Sequence, residues 1–285
     1  NTGTAGSTGR LATSSPVAVN FLWADIETAL QADLNKASPS SSSDSLGSDR
    51  LSYLRGDKTR ESNPFRKRAT LLGDIINSGL AYSGVPTASI TSSSYSTFYN
   101  ANASRTPAVF VGANDGMLHA FNASAAGGNE LFAYIPSWMG PKLSALTNPS
   151  YVGAHQSYVD STPVVAEAEV LNASSVLEWQ TVLVSGTGSG GQGVFALDVT
   201  DPTAFSASKV KWEFTNIDDQ DMGYVVGRPQ ILKMRTSAYG ATATYKWFAV
   251  VGSGANNYVA SVGGNFGSGQ PTLFLLDLSK PASQA

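Results

Sequence analysis

Arg55-Gly56-Asp57 sets a guanidinium and a carboxylate on either side of a glycine. A glycine there lets both charges project from a tight turn. The tripeptide is the one integrins read, so a receptor contact is the chemistry expected of it; the competing expectation is a loop in which Arg55 and Asp57 pair with neighbours. Asp218, Asp219 and Asp221 crowd one short stretch before Met222-Gly223. Like charges this close favour a bound cation, or else a turn capped by aspartate side chains. Gly186-Thr-Gly-Ser-Gly-Gly191 contains Gly-x-Gly-x-x-Gly, but a phosphate cradle needs a helix next. Val194-Phe-Ala-Leu-Asp198 follows instead and reads as a strand, which makes the glycines a hairpin loop.

His119 and His155 are the only histidines, and cysteine is absent. His119 alternates with Met117 and Phe121, as a packed strand residue does, and the chain is poor in zinc ligands. No Gly-x-Ser-x-Gly elbow occurs. No catalytic constellation assembles from these residues, and the expectation is a protein that is not an enzyme. Net charge is -3 with no basic stripe, which argues against nucleic acid. No apolar run reaches membrane-spanning length, and a signal peptide would precede Asn1.

The elements that must position these residues fall into two regions, 1–72 and 73–285. Residues 1–15 read as a flexible lead-in. Leu22, Ile26, Leu30 and Leu34 recur every fourth residue and predict a helix from Val17 to Lys36. Residues 37–48 form a Ser-rich loop expected to be mobile and exposed, with a helical turn at Asp49 to Leu54. From Gly73 onward short β-runs take over: Ile75–Tyr82, Ala108–Gly112, Met117–Phe121 and Glu130–Ile135. A second set comprises Pro163–Val170, Gln180–Ser185, Val194–Asp198 and Val210–Phe214. The third is Pro229–Met234, Tyr245–Gly252 and Thr272–Asp277.

The three sets align. Their second runs end in Gly112, Gly186 and Gly252, and their third runs end in Asn122, Asp198 and Asp277. A repeated four-stranded antiparallel unit is the signature of a β-propeller. The fold expected is therefore mainly β: a propeller of four-stranded blades with an N-terminal helix, about three blades long. A ring needs at least four blades, so the propeller is expected to be truncated at its C-terminus. Trp138, after Ile135-Pro136, is expected to cap a blade.

Leu51-Ser-Tyr-Leu-Arg-Gly-Asp57, Leu72-Gly-Asp-Ile-Ile-Asn-Ser78, Ala108–Phe121, Tyr134-Ile-Pro136, Tyr158–Val164 and Phe195–Asp198 resemble the C-terminal propeller of PilY/PilC-type proteins of type IV pili. The resemblance covers roughly Asp49 to Asp277. It implies a non-enzymatic module for pilus biogenesis, extension and retraction, and for surface attachment. Its place would be the pilus tip or outer-membrane surface of a Gram-negative bacterium. The partners implied are pilins or minor pilins and host or abiotic surface receptors, with integrin as the receptor for Arg55-Gly56-Asp57. The family also implies Ca2+ held by an alternating-aspartate loop. No Asp-x-Asp-x-Asp-Gly pattern occurs here, so no cofactor is assigned to this chain and the loop is expected beyond Ala285. The alternative is a quinoprotein-like dehydrogenase, whose propellers share the blade pattern but require calcium-ligating carboxylates at the axis.

Overall fold

The computed structural model describes residues 2–4, 18–172, 174–258, 267 and 269–280. Strands β1 (Thr2–Thr4) and β2 (Ala18–Asn20) are followed by helices α1 (Thr28–Leu34) and α2 (Gly47–Leu54). Strand β3 (Ala81–Ser83) and helix α3 (Ser93–Asn102) lead into β4 (Ala108–Gly112), β5 (Leu118–Asn122), β6 (Glu130–Ile135) and a short α4 (Gly140–Leu143). A second sheet holds β7 (Val164–Leu171), β8 (Leu177–Gly186), β9 (Gly193–Asp198) and β10 (Val210–Thr215). A third holds β11 (Gln230–Arg235), β12 (Tyr245–Gly252) and β13 (Leu273–Asp277).

Within each set the consecutive strands pair antiparallel, as a meander requires. The first strands gather at the centre, where β7 lies against both β3 and β11. This is the radial order of propeller blades. The third strands end alike: Asn122 Oδ1 accepts the Ser124 N–H at 2.9 Å, Asp198 Oδ1 that of Thr200 at 3.0 Å, and Asp277 Oδ1 that of Ser279 at 2.9 Å. The same side-chain turn in three sheets establishes the repeat.

Four expectations need correction. The Val17–Lys36 helix shrinks to α1. Phe21, off the four-residue stripe, is fully buried, while Leu22, on it, is 42% exposed. Burying Phe21 takes the chain out of helical register, and β2 pairs with β1 instead. Of the lead-in expected at 1–15, Thr2–Thr4 is strand β1, and residues 5–15 lie outside the described residues. The Ser-rich loop is exposed but tethered: Asp44 Oδ1 accepts Arg50 Nη1 at 2.7 Å, and Asn35 Oδ1 caps the Gly47 N–H at 2.9 Å. The Ile75–Tyr82 strand is only β3. Ile76 and Leu80 face solvent, and Asn77 is instead held by Asp160, which accepts its backbone N–H at 2.9 Å and its amide at 2.6 Å.

The lead-in is part of the first blade's core. Phe21, Ile26, Leu30, Leu34, Leu51 and Phe65 pack in one apolar cluster with residues of β5, β6 and α4. Strand β1 also adds in parallel to the outer edge of β6.

Candidate functional site

Arg55-Gly56-Asp57 is the C-terminus of α2. The Gly56 N–H donates to the Tyr53 carbonyl at 2.9 Å and the Asp57 N–H to the Ser52 carbonyl at 3.0 Å, with Gly56 at φ +105°. These are the paired bonds and left-handed residue of a Schellman cap, which explains the glycine locally. Arg55 and Asp57 are both exposed. Arg55 Nη1 donates to the Phe21 carbonyl at 3.0 Å. Asp57 accepts the Thr59 N–H at 2.7 Å, and that bond holds its carboxyl below the usual carboxylate range.

The fold brings Arg55 and Gly56 beside a cluster that no sequence motif announced. Together with Leu71, Leu72 and Asp115 they line a groove of about 230 Å3 whose other side carries His119, Phe121 and Glu130. His119 is 5% exposed. Its Nδ1 lies 2.6 Å from Glu130 and its Nε2 3.1 Å from Asp115. Burial pulls the imidazolium down, but the two carboxylates outweigh it and raise it to about 9. Both ring nitrogens then donate, so the ring has no lone pair for a general base near neutral pH. The groove is built to hold and present charge rather than to move protons. Asp115 and His119 are four apart on one hairpin, a spacing the sequence displays. Glu130 comes from β6, where the pairing slips between Ala120 and Phe121, and nothing in the sequence announces that slip.

The other candidates take structural places. Asp218 accepts the Thr215 N–H at 2.8 Å and Asp219 the Asp221 N–H at 2.9 Å, so both carboxylates cap backbone turns. Among the described residues no group of three or more His, Asp or Glu could hold a metal ion, and the described residues do not fit a calcium loop. His155 pairs with Asp74 at 3.0 Å. The Gly186–Gly191 loop gives room to the first blade: a Cβ on Gly191 would stand 2.4 Å from Trp138. Trp138 Nε1 donates to Thr187 Oγ1 at 3.1 Å, so Trp138 contacts the second blade.

The three aligned sheets are matched by the comparisons. The family described as the PilY1 beta-propeller domain matches residues 72–282. The chain belongs to this family. The type IV pilus biogenesis factor PilY1 of Pseudomonas aeruginosa strain PAK is 41% identical over 246 residues, covering 82% of this chain and 19% of that protein. A PilY1 homolog of Xylella fastidiosa strain Temecula1 is 40% identical over 246 residues, covering 80% of this chain and 15% of that protein. The crystal structure of the Pseudomonas aeruginosa PilY1 C-terminal domain is 31% identical, with a TM-score of 0.48, covering 71% of this chain and 35% of that chain. The chain thus spans less than a quarter of the length of these curated relatives. No helix among the described residues is long and apolar enough to cross a membrane.

Proposed function

We propose that this PilY1-family chain is a non-enzymatic module of a type IV pilus biogenesis factor. It works at the cell surface or pilus tip of a Gram-negative bacterium, where it docks pilins or minor pilins and presents loops to surfaces. The observation that carries this is the family match over 72–282 together with relatives named as pilus biogenesis factors. A rigid stack of sheets with charge-bearing loops suits a docking scaffold. Arg55 and Asp57, exposed at the end of α2, are the receptor contact in this reading.

The test is an allelic replacement in the source bacterium. Gly112→Val in the full-length protein disrupts the first blade and is expected to abolish surface pili and twitching. Asp57→Ala is expected to leave both intact and reduce attachment to integrin-bearing cells. Normal piliation with an unfolded blade would overturn the biogenesis reading, and unchanged attachment would remove the receptor contact. Dye-linked alcohol oxidation with pyrroloquinoline quinone and calcium would overturn the non-enzymatic assignment.

A further inference from the structure

A pocket of about 350 Å3 lies at one end of the second blade, between the turn after β7, the start of β10 and Leu278–Lys280 of the third blade. The pairing of β9 with β10 shifts between Val210 and Trp212, which leaves Lys211 out of the ladder. A bulge of this kind re-aims a side chain, and Lys211 lines the pocket. Its Nζ donates to Gln180 Oε1 at 2.8 Å, a neutral acceptor, and no ion pair joins it to a carboxylate among the described residues. Burial pulls the Lys211 ammonium below the usual lysine range; the charges of Asp198 and Glu178 oppose that shift, and Lys209 adds to it. Lys280 lines the same pocket, is exposed, and likewise has no ion pair among the described residues.

The nearby carboxylates are bonded to other groups. Asp198 accepts Lys209 Nζ at 2.9 Å and the Thr200 N–H at 3.0 Å. Glu178 accepts Gln180 Nε2 at 2.7 Å and Asn172 Nδ2 at 2.9 Å. Lys209, Lys211 and Lys280 thus face two carboxylates, which leaves one positive charge in excess. No arginine lines the pocket, so it offers no planar fork for a carboxylate. Ammoniums act as point charges. Ser279 Oγ accepts the Leu171 N–H at 3.1 Å, which leaves its O–H to donate. Donors converging from two blades suit a tetrahedral oxyanion, and a single excess charge suits a monoanion over a phosphate-ester dianion. A pocket of this volume walled by Asn172, Ser175, Ser208 and Ser279 takes one sugar ring. We propose that this pocket binds a sulfate ester carried on a sugar, whose oxygens accept from Lys211, Lys280 and Ser279. The site is separate from Arg55-Gly56-Asp57 and goes beyond the docking role.

Calorimetric titration of the full chain near neutral pH tests this. Galactose 6-sulfate is expected to saturate, and to bind more weakly as sodium chloride is raised. The comparison probes are galactose, inorganic sulfate, galacturonate and galactose 6-phosphate. Each is expected to bind at least about fivefold more weakly than the sugar sulfate, because each lacks the ring, the anion or its shape and charge. Lys211→Met keeps the stem and removes the ammonium, and is expected to weaken binding about tenfold, as loss of a charge-assisted pair predicts. Lys280→Gln changes an exposed position and is expected to weaken binding about threefold, which keeps the test open if Lys211→Met does not fold. The proposal fails if galactose 6-sulfate does not saturate, or if any comparison probe binds as tightly. It fails too if Lys211→Met and Lys280→Gln bind the sugar sulfate as the parent chain does.

Discussion

The junction between the first and second blades and the junction between the second and third are built from the same repeat but held differently. Charged side chains cross the first. Arg105 donates to the Gly84 carbonyl at 2.5 Å and Ser83 Oγ at 3.0 Å on one side, and to Thr181 Oγ1 at 2.6 Å and the Thr200 carbonyl at 3.2 Å on the other. Glu213 of β10 accepts from the Tyr134 hydroxyl at 2.5 Å and the Ser137 N–H at 2.8 Å. At the second junction Val182, Val184, Trp212 and Phe214 meet Ala249, Val251, Phe274 and Leu276. The described polar links across it are neutral, such as Gln192 Nε2 to the Asn256 carbonyl at 3.1 Å and the Leu171 N–H to Ser279 Oγ at 3.1 Å. Directional bonds fix register at the first junction; non-directional apolar contact supplies the second.

The sharpest way to break that contrast is to remove one member from each side. Arg105→Met leaves buried carbonyls and Glu167 without their partner and is expected to cost about 3–5 kcal/mol. Leu276→Ala removes only apolar contact and is expected to cost about 2–4 kcal/mol, according to how far its neighbours collapse. Chemical unfolding of both variants checks this. Equal losses, or a larger loss for Leu276→Ala, would mean the polar fan adds little.

The strand-two glycines sharpen the comparison further. A Cβ on Gly112 would stand 2.3 Å from the Val159 carbonyl oxygen, and one on Gly186 would stand 2.9 Å from Val225. A Cβ on Gly252 would meet nothing within 4 Å. Gly112→Ala is therefore expected to cost about 2–3 kcal/mol, Gly186→Ala about 1–2 kcal/mol, and Gly252→Ala within about half a kcal/mol of zero. Melting of the three variants gives the ranking; a Gly252→Ala loss as large as that of Gly112→Ala would break it.

Those glycines were also the clearest part of the sequence. They mark the repeat together with Asn122, Asp198 and Asp277, and it is these three side chains that perform one backbone task in every blade, whereas close packing explains only Gly112 and Gly186. What stayed hidden depends on contacts between distant residues. Helix α3 is Ser-Ser-Tyr-Ser-Thr-Phe-Tyr-Asn-Ala-Asn, poor in strong helix formers. It is held by the Ser92 cap and by Tyr95 edge-on to Trp179 at 4.9 Å. Arg105 stands in Ser-Arg-Thr-Pro, which reads as a loop and gives no hint of four acceptors from two blades. The site was half legible: Arg55-Gly56-Asp57 is visible as a motif, but its neighbour His119 acquires its charge only when β6 brings Glu130 alongside.

The smallest effect expected is the most selective, because it comes from two buried cations, Lys142 where the first blade meets the second and His119 inside the first. Lys142 Nζ donates to the Ser157 carbonyl at 2.6 Å and the Gly190 carbonyl at 2.9 Å, and burial lowers it from 10.5 to about 8. Between those values the unfolded chain binds more protons than the folded one, so this group makes stability rise with pH. His119, raised from 6.5 to about 9, acts oppositely: its stabilisation is complete below 6.5 and is lost as pH rises through 9. Between pH 8 and 9 the two slopes, each below about 1.4 kcal/mol per pH unit, nearly cancel. Unfolding free energies across that window are expected to fall with pH in Lys142→Met and to rise with pH in His119→Gln. Leu276→Ala should displace the parent curve without changing its shape. Parallel curves for all four proteins would show that neither buried cation is linked to folding.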